Sequence, residues 1–207
     1  MPLSPGTEDS GRVASVSTMT MAEQLRGIPS LTGTAPILDL DDLPGEPALL
    51  FRAWLEEALR HRVPEPHAVS LATVDADGIP DARTLILKDV DDQAWAFAGT
   101  ASSNKGRQLA ANPAAALDVY WQPLMRAVRA RGSVAEATPA ECEADLAARS
   151  EAARAGVAPG DWRLWRLQPS RVEFFQGSVD RQHLRVIYES APSGWTIRVT
   201  RGPQIVR

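Results

Sequence analysis

The sequence is poor in the residues on which several large classes of protein depend. Its single cysteine, Cys142, excludes an internal disulfide and any metal site built from several thiolates. That lone thiol reads as a packing or surface residue in a reducing compartment. Lysine and arginine number 22 against 26 aspartates and glutamates, and the net charge of -4 gives no basic face for nucleic acid. Any anion site must therefore be local. No run approaches the ~20 apolar residues that span a bilayer, and the N-terminus lacks the basic-then-apolar pattern of a secretory signal. The expectation is a cytoplasmic protein with neither a membrane nor a nucleic-acid partner. No Gly-x-Gly-x-x-Gly follows a first strand, which disfavours a nicotinamide enzyme, and no internal repeat is visible.

What is present is the composition of an ordinary globular domain, 44% hydrophobic and 23% charged over 207 residues. Residues 1–40 are rich in Ser, Thr, Pro and Gly without a sustained period, which predicts a mobile N-terminal arm before a single domain over 41–207. The first element is a helix over Pro47–Arg60, with Leu49, Leu50, Ala53, Trp54, Ala58 and Leu59 as its apolar stripe. Strands are predicted over Ala68–Val74 and 82–87, joined by the turn Asp75-Ala76-Asp77-Gly78. A turn over 89–92 leads to a strand at 95–98. A short helix capped by Ser102 and Ser103 then ends at Asn112-Pro113, and strands follow over Ala114–Trp121 and about 126–135.

Thr138-Pro139-Ala140-Glu141 is a capping box that opens a helix to about Arg154, and strands are predicted at 171–176, 185–189 and 195–199. Strands joined by short turns argue for an antiparallel barrel, because parallel neighbours need a crossover.

Three blocks carry candidate chemistry. Arg83 and Lys88 flank an apolar strand, as either a solvated pair or an anion site; five apart, they face opposite ways unless the strand ends between them. Ser102-Ser103-Asn104-Lys105-Gly106-Arg107 opens a helix whose free N–H groups would favour an anion, although a hydroxyl there can be no more than a cap. Arg181, His183 and Arg185 follow Phe174-Phe175-Gln176-Gly177 and, if extended, share one face.

Read together, these blocks resemble the pyridoxamine 5′-phosphate oxidase family. The likeness runs from about Pro47 to Trp195 with one large gap. It rests on Glu65-Pro66-His67-Ala68, Leu71-Ala72-Thr73-Val74-Asp75, the Arg83-to-Lys88 block, Lys105-Gly106-Arg107, Leu109-Ala110-Ala111-Asn112-Pro113, Tyr120-Trp121 and the Arg-x-His segment. The resemblance implies an α+β fold: an FMN-binding split β-barrel, antiparallel and Greek-key-like with flanking helices. It also implies a homodimer with its sites between subunits.

By the same resemblance, Arg83 and Lys105 hold the FMN phosphate, with Ser103, Lys88, Phe175 and Arg185 also at the cofactor. Lys88, Arg149, Arg181 and His183 face the substrate, and Arg181 and His183 are the catalytic candidates. No metal is implied. The activity implied is oxidation of a small molecule through FMN to oxygen, as in pyridoxal phosphate biosynthesis. The alternatives are a phenazine-biosynthesis-like flavin oxidase and a split barrel that binds a ligand without turnover. The sequence departs from the family's pattern at Ala98-Gly99, Asn104, Ala127, Asp145 and Ala153, and residues 155–162 replace a much longer segment.

Overall fold

The computed structural model describes residues 19–202, so residues 1–18 of the expected arm and the last five residues lie outside the described residues. Residues 19–30 form a unit of their own that contains helix α1, Met21–Gly27. Thr20 and Glu23 close it with a reciprocal capping box, and none of its residues is buried.

The second unit, residues 31–202, is built on nine antiparallel strands. Helix α2, Pro47–Arg60, begins with proline where its missing N–H costs nothing. Its buried stripe is Ala48, Leu50, Phe51, Trp54 and Ala58, while Leu49 and Leu59 face outward, so the core-facing side is rotated from the one expected. Strands β1, Ala68–Val74, and β2, Pro80–Ile86, form the predicted hairpin, with β2 starting two residues early. The segment expected as a turn contains β3, Asp89–Val90, which pairs with β4, Trp95–Thr100, across the tighter turn at 91–94.

Helix α3, Asn104–Ala111, precedes β5, Ala114–Trp121, a short 3-10 turn over Gln122–Leu124, and β6, Arg126–Glu136. The single helix expected after Thr138 is two: α4, Pro139–Ala147, and α5, Glu151–Arg154, recapped by Ser150.

The largest difference from expectation is β7, which runs over Trp162–Gln176 rather than starting at Arg171. Pro169 reads as a strand breaker in sequence, but here it sits opposite a register shift between Arg131 and Gly132. A Cβ on Gly132 would collide with the carbonyl of Gln168, so only glycine admits this approach. Beyond that point β7 changes partner: its first half pairs with β4, and its second with β8, Leu184–Ala191. A final strand β9, Gly194–Arg201, pairs with β8. The resulting order, β2-β1-β5-β6-β7-β4-β3 with β8 and β9 branching from β7, is an antiparallel split barrel that closes where β2 meets β4.

Aromatic side chains fill the interior. Phe51 packs on Trp95 with centroids 4.6 Å apart, Trp54 meets Phe174 edge-on at 5.2 Å, and Phe174 meets Tyr188 at 5.7 Å. Residues 31–43 run over this core: Thr34 donates its N–H to the Pro123 carbonyl at 2.9 Å, and Leu38, Leu40 and Leu43 pack inward. Arg126, 1% exposed, anchors α2 to β6 and β7 by donating to Glu57 Oε2 at 2.5 Å and Gln176 Oε1 at 2.9 Å while stacking 4.2 Å from the Trp54 ring. Among the described residues no helix is long and apolar enough to cross a membrane.

Candidate active site

The start of α3 is a compact, capped turn and the candidate anion seat. Ser103 caps the helix: its hydroxyl donates to the Thr100 carbonyl at 2.6 Å and accepts from the Gly106 N–H at 3.3 Å. The turn is tight because a Cβ on Gly106 would run into the Ala101 carbonyl. Asp161 braces the loop from outside by accepting from Ser102 N at 2.9 Å and Ser102 Oγ at 2.6 Å, and these bonds hold its carboxyl below the usual range. Asn104 accepts from Arg107, which also donates to the Ser102 carbonyl.

Two cations converge on this seat. Arg83 reaches across from β2 and donates to Thr73 Oγ1 at 2.5 Å, Gln108 Oε1 at 2.9 Å and Asp81 Oδ2 at 2.8 Å. Lys105 folds inward, 5.9 Å over the Trp165 ring and 3.4 Å from Ser103 Oγ. Burial, and then the field of Arg83, lowers the Lys105 pKa. Arg83 has a carboxylate partner, whereas Lys105 has none among the described residues. A half-buried, carboxylate-free ammonium beside a guanidinium and a helix N-terminus is an arrangement that an anion would relieve.

Lys88 lies just beyond the end of β2, in a second corner; strand termination frees it from the alternation that Arg83 obeys. Its Nζ is 3.6 Å from Asp145 Oδ1 on α4. Asp145 Oδ2 accepts from Trp162 Nε1 at 2.8 Å, and the guanidinium of Arg149 stacks 4.6 Å from that same indole. Arg149 Nε is buried without a hydrogen-bond partner.

A third group lies at the far end of β7. Arg185 stacks 5.0 Å from the Phe175 ring, and the His183 ring is 5.3 Å from Phe175 on centroids. Arg185 Nε approaches Glu173 Oε1 to 3.4 Å out of hydrogen-bond geometry, so its Nε and Nη1 are buried and unpartnered. Ser178 N–H donates to His183 Nδ1 at 3.0 Å; in the neutral ring this leaves the proton on Nε2. Arg181 and His183 precede β8 rather than lying in it, and Arg181 has a left-handed φ of 66°, so the shared face expected of Arg181, His183 and Arg185 does not form.

The family model described as pyridoxamine 5′-phosphate oxidase matches residues 55–176, and that of the pyridoxine 5′-phosphate oxidase C-terminal dimerisation region matches residues 162–199. The chain belongs to the pyridoxamine 5′-phosphate oxidase family. It is 36% identical over 192 residues to the pyridoxine/pyridoxamine 5′-phosphate oxidase of Cupriavidus taiwanensis, covering 77% of this chain and 91% of that one. The corresponding protein of Bradyrhizobium diazoefficiens is 35% identical over 188 residues, covering 75% and 88%. Among solved structures, PhzG from Burkholderia lata 383, in complex with tetrahydrophenazine-1-carboxylic acid, superposes with a TM-score of 0.74 at 29% identity, covering 82% of this chain and all of that one. An FMN-binding protein from Nostoc punctiforme, at 20% identity and a TM-score of 0.63, shares the fold.

Within one chain of this family member the candidate residues fall into separate groups. Lys105 packs on Trp165, and Phe175 lies ten residues further along β7, a separation of about 30 Å of strand at ~3.3 Å per residue. The partners that fix the groups, namely Asp161, Gln108, Thr73 and Glu173, escape sequence reasoning because each is brought in by strand register, a loop or the packing of α3 rather than by local spacing. Glu173 is 7% exposed and accepts from Arg129 at 2.5 Å and Arg171 at 2.9 Å.

Proposed function

We propose that the chain is an FMN-dependent oxidase related to the pyridoxine/pyridoxamine 5′-phosphate oxidases, working as a homodimer in the cytoplasm. The observation that carries this reading is the convergence of Arg83 and the carboxylate-free Lys105 on the capped start of α3. These groups and Ser103 would hold the FMN phosphate, with the helix N–H groups adding positive potential. When bound, FMN supplies two-electron acceptance from a substrate carbon and reoxidation by oxygen.

Distance supports the dimer. Arg185, whose Nε and Nη1 make no hydrogen bond, and the Phe175 ring suit the edge and face of a flavin, but they sit at the opposite end of β7 from the phosphate seat. A second copy would bring its own Phe175 and Arg185 to the seat of the first, which the match to a dimerisation region supports. Arg181 and His183 would come with them, orienting substrate with a guanidinium and an imidazole that carries its proton at Nε2. Lys88 and Arg149 would line the substrate corner from the side of the seat.

The family departures are partly compensated. Gly99 leaves room for Lys105 to fold inward, and Asn104 holds Arg107 across the loop. Two observations favour the second reading, a flavin oxidase of the phenazine-biosynthesis type: Lys88 is engaged by Asp145, and the similar PhzG structure holds a carboxylic acid.

The test is the visible spectrum of the purified protein during titration with FMN, followed by oxygen consumption with pyridoxine 5′-phosphate. Saturable flavin bands in the native chain, lost in the Arg83→Ala/Lys105→Ala variant, are expected. Equal FMN affinity in that variant would overturn the phosphate assignment. Bound flavin without oxygen uptake on either pyridoxine 5′-phosphate or a carboxylic-acid substrate would replace the oxidase with a ligand-binding barrel.

A further inference from the structure

The corner formed by Lys88, Asp145, Arg149 and Trp162 has an unusual charge balance. Asp145 bridges two partners, with Oδ1 3.6 Å from Lys88 Nζ and Oδ2 accepting from Trp162 Nε1 at 2.8 Å. Trp162 is 8% exposed, so if the carboxylate swung away it would leave a buried indole N–H unpaired. Asp145 is thereby fixed, and the charge of Lys88 is met. Arg149 is the cation with an uncommitted atom, since its Nε is buried and unpartnered against the same indole.

A phosphate monoester brings a charge of about -1.5 to -2 at neutral pH. In this corner it would face one available guanidinium and a fixed carboxylate of its own sign. A carboxylate group carries one charge, and a single guanidinium satisfies it in bidentate fashion. We propose that Asp145 is the specificity-determining residue of the substrate pocket, and that the pocket takes a small monocarboxylate on Arg149 and turns away phosphate esters. The inference rests on reading the chain as a flavin oxidase with this corner as its substrate pocket. Asp145 acts in two ways: it withdraws Lys88 from anion binding, and it repels a second negative charge near Arg149.

Calorimetric titration of the purified full chain with pyridoxine, 4-pyridoxic acid and pyridoxine 5′-phosphate compares one ring carrying no acid, a carboxylate and a phosphate. In the native chain the carboxylate should bind at least about tenfold tighter than the phosphate ester. Asp145→Asn keeps an acceptor for Trp162 and removes the charge. It should tighten the phosphate ester about tenfold while moving the carboxylate less than about threefold. Arg149→Gln should weaken the carboxylate about tenfold. A melting curve checks each fold, and Asp145→Ser serves if the asparagine variant is unstable.

Tighter binding of the phosphate ester to the native chain, an unchanged ratio in both Asp145 variants, or no binding of either acid would overturn the proposal. The flavin spectrum separates this from the oxidase reading. Colourless protein that still discriminates between the acids removes the oxidase and leaves the pocket's selectivity. Flavin-bearing protein that does not discriminate does the reverse.

Discussion

The ammonium of Lys105 lies against the Cα of Gly99, in the space that a side chain on residue 99 would fill. Gly99 sits within β4, and the atoms a Cβ would meet are the far end of a flexible side chain and, at 3.7 Å, Trp165. Gly99→Ala should therefore displace Lys105 outward without straining the strand. The expected gain is about 0.5–1 kcal/mol, read as a raised melting temperature. With the lysine less buried its pKa should return toward the ordinary value, and amine acetylation at neutral pH should slow at Lys105.

Gly106 presents the opposite case, because a Cβ there meets the Ala101 carbonyl, which belongs to the backbone. Gly106→Ala should open the loop, cost about 1–3 kcal/mol in urea unfolding, and weaken FMN binding by at least about tenfold. Unaltered FMN affinity would show that the start of α3 is not the phosphate seat.

Removing Glu57 leaves the guanidinium of Arg126 buried beside Trp54 without its carboxylate. Glu57→Leu should destabilise the protein by about 3 kcal/mol in denaturant unfolding. Adding Arg126→Met removes the stranded charge, so the double variant should be more stable than Glu57→Leu alone. A double variant worse than either single change would mean that the pair contributes more than its burial costs.

Tyr188 ties the core to pH. Burial, with a smaller contribution from Glu46, pushes its phenol up to about 12, and the hydroxyl donates to the Pro44 carbonyl at 2.9 Å. The unfolded phenol titrates near pH ~10, so the stability from keeping Tyr188 neutral is complete below that pH. It is lost as the pH rises to about 12. Urea midpoints should fall between pH ~10 and pH ~12 in the native chain, and Tyr188→Phe should remove part of that fall.

Much of this organisation was legible in the sequence where the signal is local. The capping residues Ser103 and Thr138 mark the starts of α3 and α4, and alternation and a Gly-containing turn mark the β1–β2 hairpin. The first half of β7 was not legible, because Pro169 looks like a break until Gly132 of β6 is seen to accommodate it. The alternation of Arg181, His183 and Arg185 misleads for the converse reason: the Ser178–His183 hydrogen bond and the turn at Arg181 keep the segment out of the sheet. The Lys88–Asp145 pair depends on how α4 lies across the barrel, and no spacing of 57 residues reports that.

The long strand β7 also governs which changes the chain can absorb. It carries Trp165 under Lys105 at one end and Phe175 beside Arg185 at the other, so it acts as a ruler between two chemically distinct stations. Lengthening the loop at 155–160, short of the Asp161 that braces Ser102, alters neither station. One residue inserted after Pro169 would turn every following side chain to the opposite face and carry Phe174 out of the core in place of Phe175. Variation in length is thus confined to the loops, while the span of β7 is held to the residue.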